Sequence, residues 1–123
     1  MEIMDKKLIL IIDDEAEIVE QVKEFFEEEG FRVFTAESGE EGVRFLGQEK
    51  PALVILDMKL PDMAGTSVLR AVKQKSPKSK VIVITGYVDQ AMMDEAEQIG
   101  RDLFLQKPFD LEKLREEVEK LIG

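Results

Sequence analysis

Apolar runs rich in Val, Ile, Leu and Phe recur along the chain at Leu8–Ile12, 31–35, 52–56, 81–84 and 103–105, and each reads as a short strand. Between them the apolar positions take a helical period. Ile18, Val19, Val22, Phe25 and Phe26 fall at i, i+1, i+4, i+7 and i+8, which places one apolar stripe on a helix over 15–29, ended by Gly30. Ser38 and Glu41 are spaced as a capping box for a second helix that carries Val43 and Leu46 and stops before Pro51. A third helix carries Val68, Leu69 and Val72 and ends before Pro77. Asp89 caps a fourth, which runs through Met92, Ala96 and Ile99 to Gly100. The fifth follows Asp110 and keeps Leu111, Leu114, Val118 and Leu121 on one face.

Strands alternating with helices, joined by connections too long for hairpins, predict an α/β fold: a (βα)5 doubly wound, parallel five-stranded sheet with helices on both sides. The three later strands show no polar alternation, which predicts that both of their faces are covered. No linker, low-complexity tract or repeat beyond the βα rhythm interrupts the pattern, so one domain is expected over residues 1–123.

Composition narrows the chemistry. Hydrophobic residues make up 44% of the 123 positions against 36% charged, enough to build a core. The chain has neither Cys nor His, which excludes thiolate nucleophiles, Ser-His-Asp triads, imidazole bases, Cys/His zinc sites and disulfides. Any chemistry comes from carboxylates, amines, hydroxyls or a bound ion. With 17 Lys+Arg against 27 Asp+Glu the net charge is −10, which disfavours direct contact with nucleic acid. No apolar run approaches the about 20 residues of a membrane span. Residues 1–5 lack the basic start and long apolar stretch of a signal peptide, so the sequence reads as a soluble cytoplasmic protein.

In an open parallel sheet, ligands gather beyond the carboxyl ends of the strands. Strand one ends in Asp13, Asp14 and Glu15, strand three in Asp57, strand four in Thr85 and Gly86, and strand five is followed by Lys107 and Pro108. Bringing Asp13, Asp14 and Asp57 to one rim is unfavourable without a counter-charge, and a hard divalent cation such as Mg²⁺ supplies one. Taken alone, Asp13 and Asp14 fit better as caps of the following helix. A strand-end carboxylate such as Asp57 is an available nucleophile toward phosphorus, giving an acyl phosphate. The Thr85 hydroxyl could donate to a phosphoryl oxygen, and the Lys107 ammonium could neutralise phosphoryl charge.

These residues resemble the receiver domain of bacterial two-component response regulators. The resemblance runs from Ile9–Asp14, through the Asp57–Gly65 segment with its Pro61, and Val83–Gly86, to Lys107, Pro108 and Phe109, nearly the whole chain. It implies a flavodoxin-like sheet in strand order 2-1-3-4-5. It further implies that Asp57 is the phosphoacceptor for a sensor histidine kinase or phosphotransfer protein, and that Asp13, Asp14, Asp57 and the Lys59 backbone carbonyl bind Mg²⁺. By the same resemblance Thr85 is the switch hydroxyl, Lys107 contacts the phosphoryl group, and the Lys107–Pro108 bond is cis. Phe104 matches an aromatic switch position, whose ring fills space left by Thr85 and remodels the face made by the fourth helix, fifth strand and fifth helix. Lys59 and Tyr87 occupy places that tune hydrolysis of the acyl phosphate. The helix after Glu15 and the loop after Leu105 face the kinase. An output domain or downstream partner is implied, and a phosphorylation-dependent dimer is compatible with the resemblance.

Other readings have specific discriminators. A haloacid-dehalogenase-like phosphohydrolase, also of the aspartyl-phosphate type, carries a second Asp two residues after its nucleophile, where this chain has Lys59. A flavodoxin-like electron carrier needs a Ser/Thr/Gly-rich phosphate loop after Ile12, where this chain has Asp13 and Asp14. A phosphorylation-independent interaction module would not need every site position filled. A free-standing receiver, a phosphorelay intermediate and the receiver part of a transcription regulator all fit the sequence.

Overall fold

A computed structural model describes residues 6–123, so the reading of residues 1–5 lies outside the described residues. The elements alternate strictly: β1 (Leu8–Ile12), α1 (Ala16–Glu28), β2 (Arg32–Ala36), α2 (Gly39–Leu46), β3 (Leu53–Asp57), α3 (Gly65–Lys75), β4 (Lys80–Thr85), α4 (Gln90–Ile99), β5 (Leu103–Gln106) and α5 (Leu111–Ile122). The strands pair in parallel in the order β2-β1-β3-β4-β5, the doubly wound arrangement.

Local chemistry accounts for most element ends. Ser38 Oγ accepts from the Glu41 N–H at 3.2 Å, while the Glu41 carboxylate reaches one residue further back than a standard capping box, to the Glu37 N–H at 2.8 Å. Asp89 and Asp110 cap α4 and α5 by accepting backbone N–H bonds. Gly30 and Gly100 follow α1 and α4 with φ of 98° and 118°, backbone that only glycine adopts without strain. Strands β2 and β3 each lie one residue later than their apolar runs predict, because β2 pairs Leu8 with Arg32 and Ile12 with Ala36, and β3 pairs Leu53 with Lys80 and Asp57 with Ile84.

The sheet divides two cores by residue parity. Leu10, Ile12, Val54, Leu56, Val81 and Val83 face α2, α3 and α4, where they meet Phe45, Leu69 and Ala96. Ile9, Ile11, Leu53, Ile55, Ile82 and Ile84 face α1 and α5, where they meet Phe26, Leu114 and Val118. Strands β1 and β3 are buried throughout, and β4 is buried beyond Lys80. Strand β5 departs from the expectation of full cover. It is one of the sheet's two edges, β2 being the other, and its residues are only partly buried or exposed.

The start of α3 is set by a close approach. The Gly65 N–H donates to the Met58 carbonyl at 3.1 Å, and a Cβ at Gly65 would stand 2.4 Å from Met58 Cα and 2.8 Å from that carbonyl oxygen. Only backbone could yield there, so Gly65→Ala is expected to lower unfolding free energy by about 1–3 kcal/mol, the cost of overpacking. Gly86→Ala, whose nearest contact would be Lys107 Cβ at 3.8 Å, serves as the tolerated comparison in urea unfolding.

Candidate functional site

Strand register brings the predicted residues to one end of the sheet. Ile12 pairs with Leu56, so Asp13 and Asp57 stand side by side one step beyond, with the parity of the α1/α5 face. Thr85 has the opposite parity, that of Val81 and Val83. Phe104, paired with Val83, is half-buried and packs against the same α2–α4 core, beside which Met92 and Ile99 also pack. Asp13, Asp57 and Thr85 are buried, whereas Asp14, Lys59 and Tyr87 are exposed.

Lys107 joins the two buried carboxylates. Its Nζ lies 2.9 Å from Asp13 Oδ2 and 3.0 Å from Asp57 Oδ2, and it also pairs with the Glu15 carboxylate. The Lys107–Pro108 bond is cis. The Lys107 N–H donates to the Thr85 carbonyl at 2.8 Å, extending the β4–β5 pairing to the residue whose side chain reaches the cluster. Asp57 Oδ1 accepts from the Lys59 N–H at 3.0 Å and Asp13 Oδ1 from the Glu15 N–H at 2.9 Å. Asp13 thus serves the entry to α1 as well as the cluster, while Glu15 itself stands at the N-cap.

The electrostatics of this rim are strained in one direction and relieved in another. Burial pushes the Asp13 carboxyl above its usual range, and the neighbouring Asp57 adds to it, against the opposing pull of the Glu15 N–H and Lys107. For Lys107, burial works against the ammonium, yet its close contacts with the Glu15, Asp13 and Asp57 carboxylates outweigh that and hold its pKa above the ordinary lysine value.

Three carboxylates under one ammonium leave negative charge in excess. Asp13, Asp14 and Asp57 each offer an oxygen within 4.8 Å of the others. Asp13 Oδ2 is buried and makes no directional hydrogen bond, its contact with Lys107 being one of charge alone. Oxygen donors so placed, one of them lacking a hydrogen-bond partner, fit a hard divalent cation. Beside them opens a cleft of about 440 Å³ lined by Asp14, Glu15, Asp57, Lys59, Pro61, Thr85 and Tyr87. The Thr85 hydroxyl faces its own loop, accepting from the Tyr87 N–H at 3.2 Å and donating to the Tyr87 carbonyl at 3.0 Å. Across the mouth, Lys59 Nζ sits 5.8 Å from the centre of the Tyr87 ring.

Sequence reasoning set Glu15 at the end of strand one without a partner, and gave Asp62 no role. Glu15 follows the acidic pair directly, but its contact with Lys107 spans 92 residues and depends on the strand order. Asp62 accepts from the Gly39 N–H at 2.8 Å and the Glu40 N–H at 2.9 Å, a link that spacing along the chain does not announce.

Comparison with known proteins agrees with this geometry. The model of the response regulator receiver domain matches residues 9–119, and the chain belongs to that family. It is 35% identical over 119 residues to sporulation initiation phosphotransferase F of Bacillus subtilis, covering 97% of this chain and 96% of that protein. A CheY-like response regulator receiver domain protein from Methanospirillum hungatei superposes with a TM-score of 0.92 at 33% identity, covering 94% of this chain and 93% of the other. Response regulator TrrA of Thermotoga maritima, solved in complex with Mg(2+)-BeF, superposes with a TM-score of 0.83 at 35% identity, covering 94% of this chain and 99% of its own. The protein is therefore a receiver domain of the two-component response regulators, a class of signalling modules. Among the described residues no helix is long and apolar enough to cross a membrane.

Asp13 provides a pH test of the metal-free protein. Its raised folded pKa means that the native state holds this proton more tightly than the unfolded chain does, so its contribution favours folding in acid and is lost as pH rises through the folded value. Asp13→Asn is expected to raise the urea midpoint near neutral pH, with the gain shrinking as pH falls through the carboxylate range. The Lys107 contribution stays intact below the ordinary lysine value and is lost only in strong alkali, so it leaves this comparison undisturbed.

Proposed function

We propose that Asp57 accepts a phosphoryl group from the phosphohistidine of a sensor histidine kinase or phosphotransfer protein, and that the resulting charge switches the face formed by α4, β5 and α5. The observation that carries this reading is the placement of Asp57. It is a buried strand-end carboxylate fixed by the Lys59 N–H and Lys107, at the wall of an open cleft. Held there, its oxygen attacks phosphorus in line as the phosphorus–nitrogen bond of the donor breaks, leaving an acyl phosphate. Lys107, already beside Asp57, neutralises charge on the transferred group. Asp13, Asp14, Asp57 and the Lys59 backbone carbonyl would hold Mg²⁺, which when bound supplies the remaining neutralisation of phosphoryl oxygens. Water later cleaves the acyl phosphate, so the chain catalyses only its own phosphorylation and dephosphorylation.

The switch reading rests on two side chains with shared parity. Thr85 leaves its bonds with the Tyr87 backbone to donate to a phosphoryl oxygen, and the Phe104 ring moves further into the α2–α4 core. The altered face then controls an output domain or a separate protein, and a phosphorylation-dependent dimer would use the same face. The donor docks over α1 and the loop after β5, where Ile18, Gln21, Val22, Pro108 and Phe109 line a hollow of about 120 Å³. The likeness to a protein named a phosphotransferase supports a role in passing the phosphoryl group on. The acidic surface argues against direct nucleic-acid contact, and the reading places the exchange in the cytoplasm.

Intact mass after incubation with acetyl phosphate tests the assignment. Wild type is expected to gain one phosphoryl group with Mg²⁺ and none with EDTA, and Asp57→Asn none in either condition. No gain by wild type, with partner binding unaffected by Asp57→Asn, would favour a phosphorylation-independent interaction module. Tyr87, 60% exposed at the cleft mouth, is read as hindering water. Tyr87→Ala is accordingly expected to speed decay of the acyl phosphate several-fold in a time course of intact mass, and an unchanged rate would remove Tyr87 from that role.

A further inference from the structure

The first turn of α2 takes half of its backbone partners from a distant loop. Of the four N–H groups that open this helix, Glu41 donates to Ser38 Oγ and Gly42 to the Ser38 carbonyl, both local. Gly39 and Glu40 donate instead to the two oxygens of Asp62, at 2.8 and 2.9 Å. Asp62 lies at the tip of the loop between β3 and α3, which begins just after Asp57 and contains Lys59. A carboxylate at a helix N-terminus is favoured by charge as well as by hydrogen bonding, and Asp62 is accordingly held below the usual carboxylate range by the Glu40 and Gly39 N–H groups.

A second contact fixes the same junction. A Cβ on Gly39 would stand 2.3 Å from Met63 Cγ and 2.5 Å from Met63 Sδ, so the Met63 side chain occupies the space that glycine leaves over the helix start. At its base the loop is closed by the bridge between Lys59 and Ala64 and by the Gly65 N–H bond to the Met58 carbonyl. The segment is thus fastened at base and tip, the base by its own residues and the start of α3, the tip by α2.

We propose that Asp62 is a positioning residue for the acidic site: by tying the loop tip to α2, it sets the Lys59 backbone relative to Asp13 and Asp57. The proposal rests on the metal-binding reading given above and extends it to a residue outside the carboxylate cluster. Linkage is reciprocal, so occupancy of the site must in turn steady the start of α2.

The test combines Mg²⁺ titration with amide hydrogen exchange, both followed by NMR on the full chain. Asp62→Ala is expected to weaken Mg²⁺ binding several-fold, less than the roughly tenfold loss that follows removal of a group bonded directly to a ligand. Saturating Mg²⁺ is expected to slow exchange of the Gly39 and Glu40 amides in wild type and to leave them unchanged in Asp62→Ala. Asp62→Asn, which keeps one acceptor oxygen, should fall between. If Asp62→Ala binds Mg²⁺ like wild type while those amides exchange faster, Asp62 only caps a helix and the proposal is overturned. If wild type binds no Mg²⁺, the metal reading fails and this inference falls with it. If Asp62→Ala fails to fold, the wild-type exchange with and without Mg²⁺ decides: no slowing at Gly39 and Glu40 overturns the coupling.

Discussion

One ammonium standing between buried carboxylates governs the architecture at this end of the sheet. Asp13 and Asp57 are adjacent because β1 and β3 are neighbours in register, and two carboxylates at that spacing repel. Lys107 offsets the repulsion from the loop after β5, three strands from β1 and two from β3, and among the described residues it is the cation paired with both. The offset is partial: burial, with Asp57 beside it, raises Asp13, while the surrounding carboxylates raise Lys107 against its own burial. A site balanced in this way holds its carboxylates in place while keeping an appetite for positive charge.

That imbalance connects the fold to its chemistry. A fully neutralised cluster would be a structural ion pair with little attraction for a further cation. Here Asp13 Oδ2 keeps an unspent lone pair, Asp14 faces the cleft, and Thr85 satisfies its hydroxyl within its own loop. Each of these groups has a second use available without any rearrangement of the sheet.

Most of this was legible in the sequence because the relevant signals are local. Continuous apolar strands, capping residues at Ser38, Asp89 and Asp110, and glycines at helix ends mark the elements, and strand ends mark where side chains gather. The order of elements therefore reads directly, and so do Asp13, Asp57, Thr85 and Lys107 as members of one rim. What sequence reading misses depends on lateral register or on distance. The one-residue offset of β2 follows from its pairing with β1, the partial exposure of β5 from its place at the edge, and the roles of Glu15 and Asp62 from contacts across many residues. No periodicity encodes such contacts, because each is set by where two separate elements happen to meet.

The parity of the strands has a consequence for how such a protein diversifies. Asp13 and Asp57 share the α1/α5 side, while Thr85 and Phe104 belong to the α2–α4 side, and the sheet lies between as a wall of backbone. Side chains on one side repack without disturbing the other. A lineage built on this plan can vary the α1/α5 core and the α2–α4 core as separate parts, with the rim of the sheet common to both.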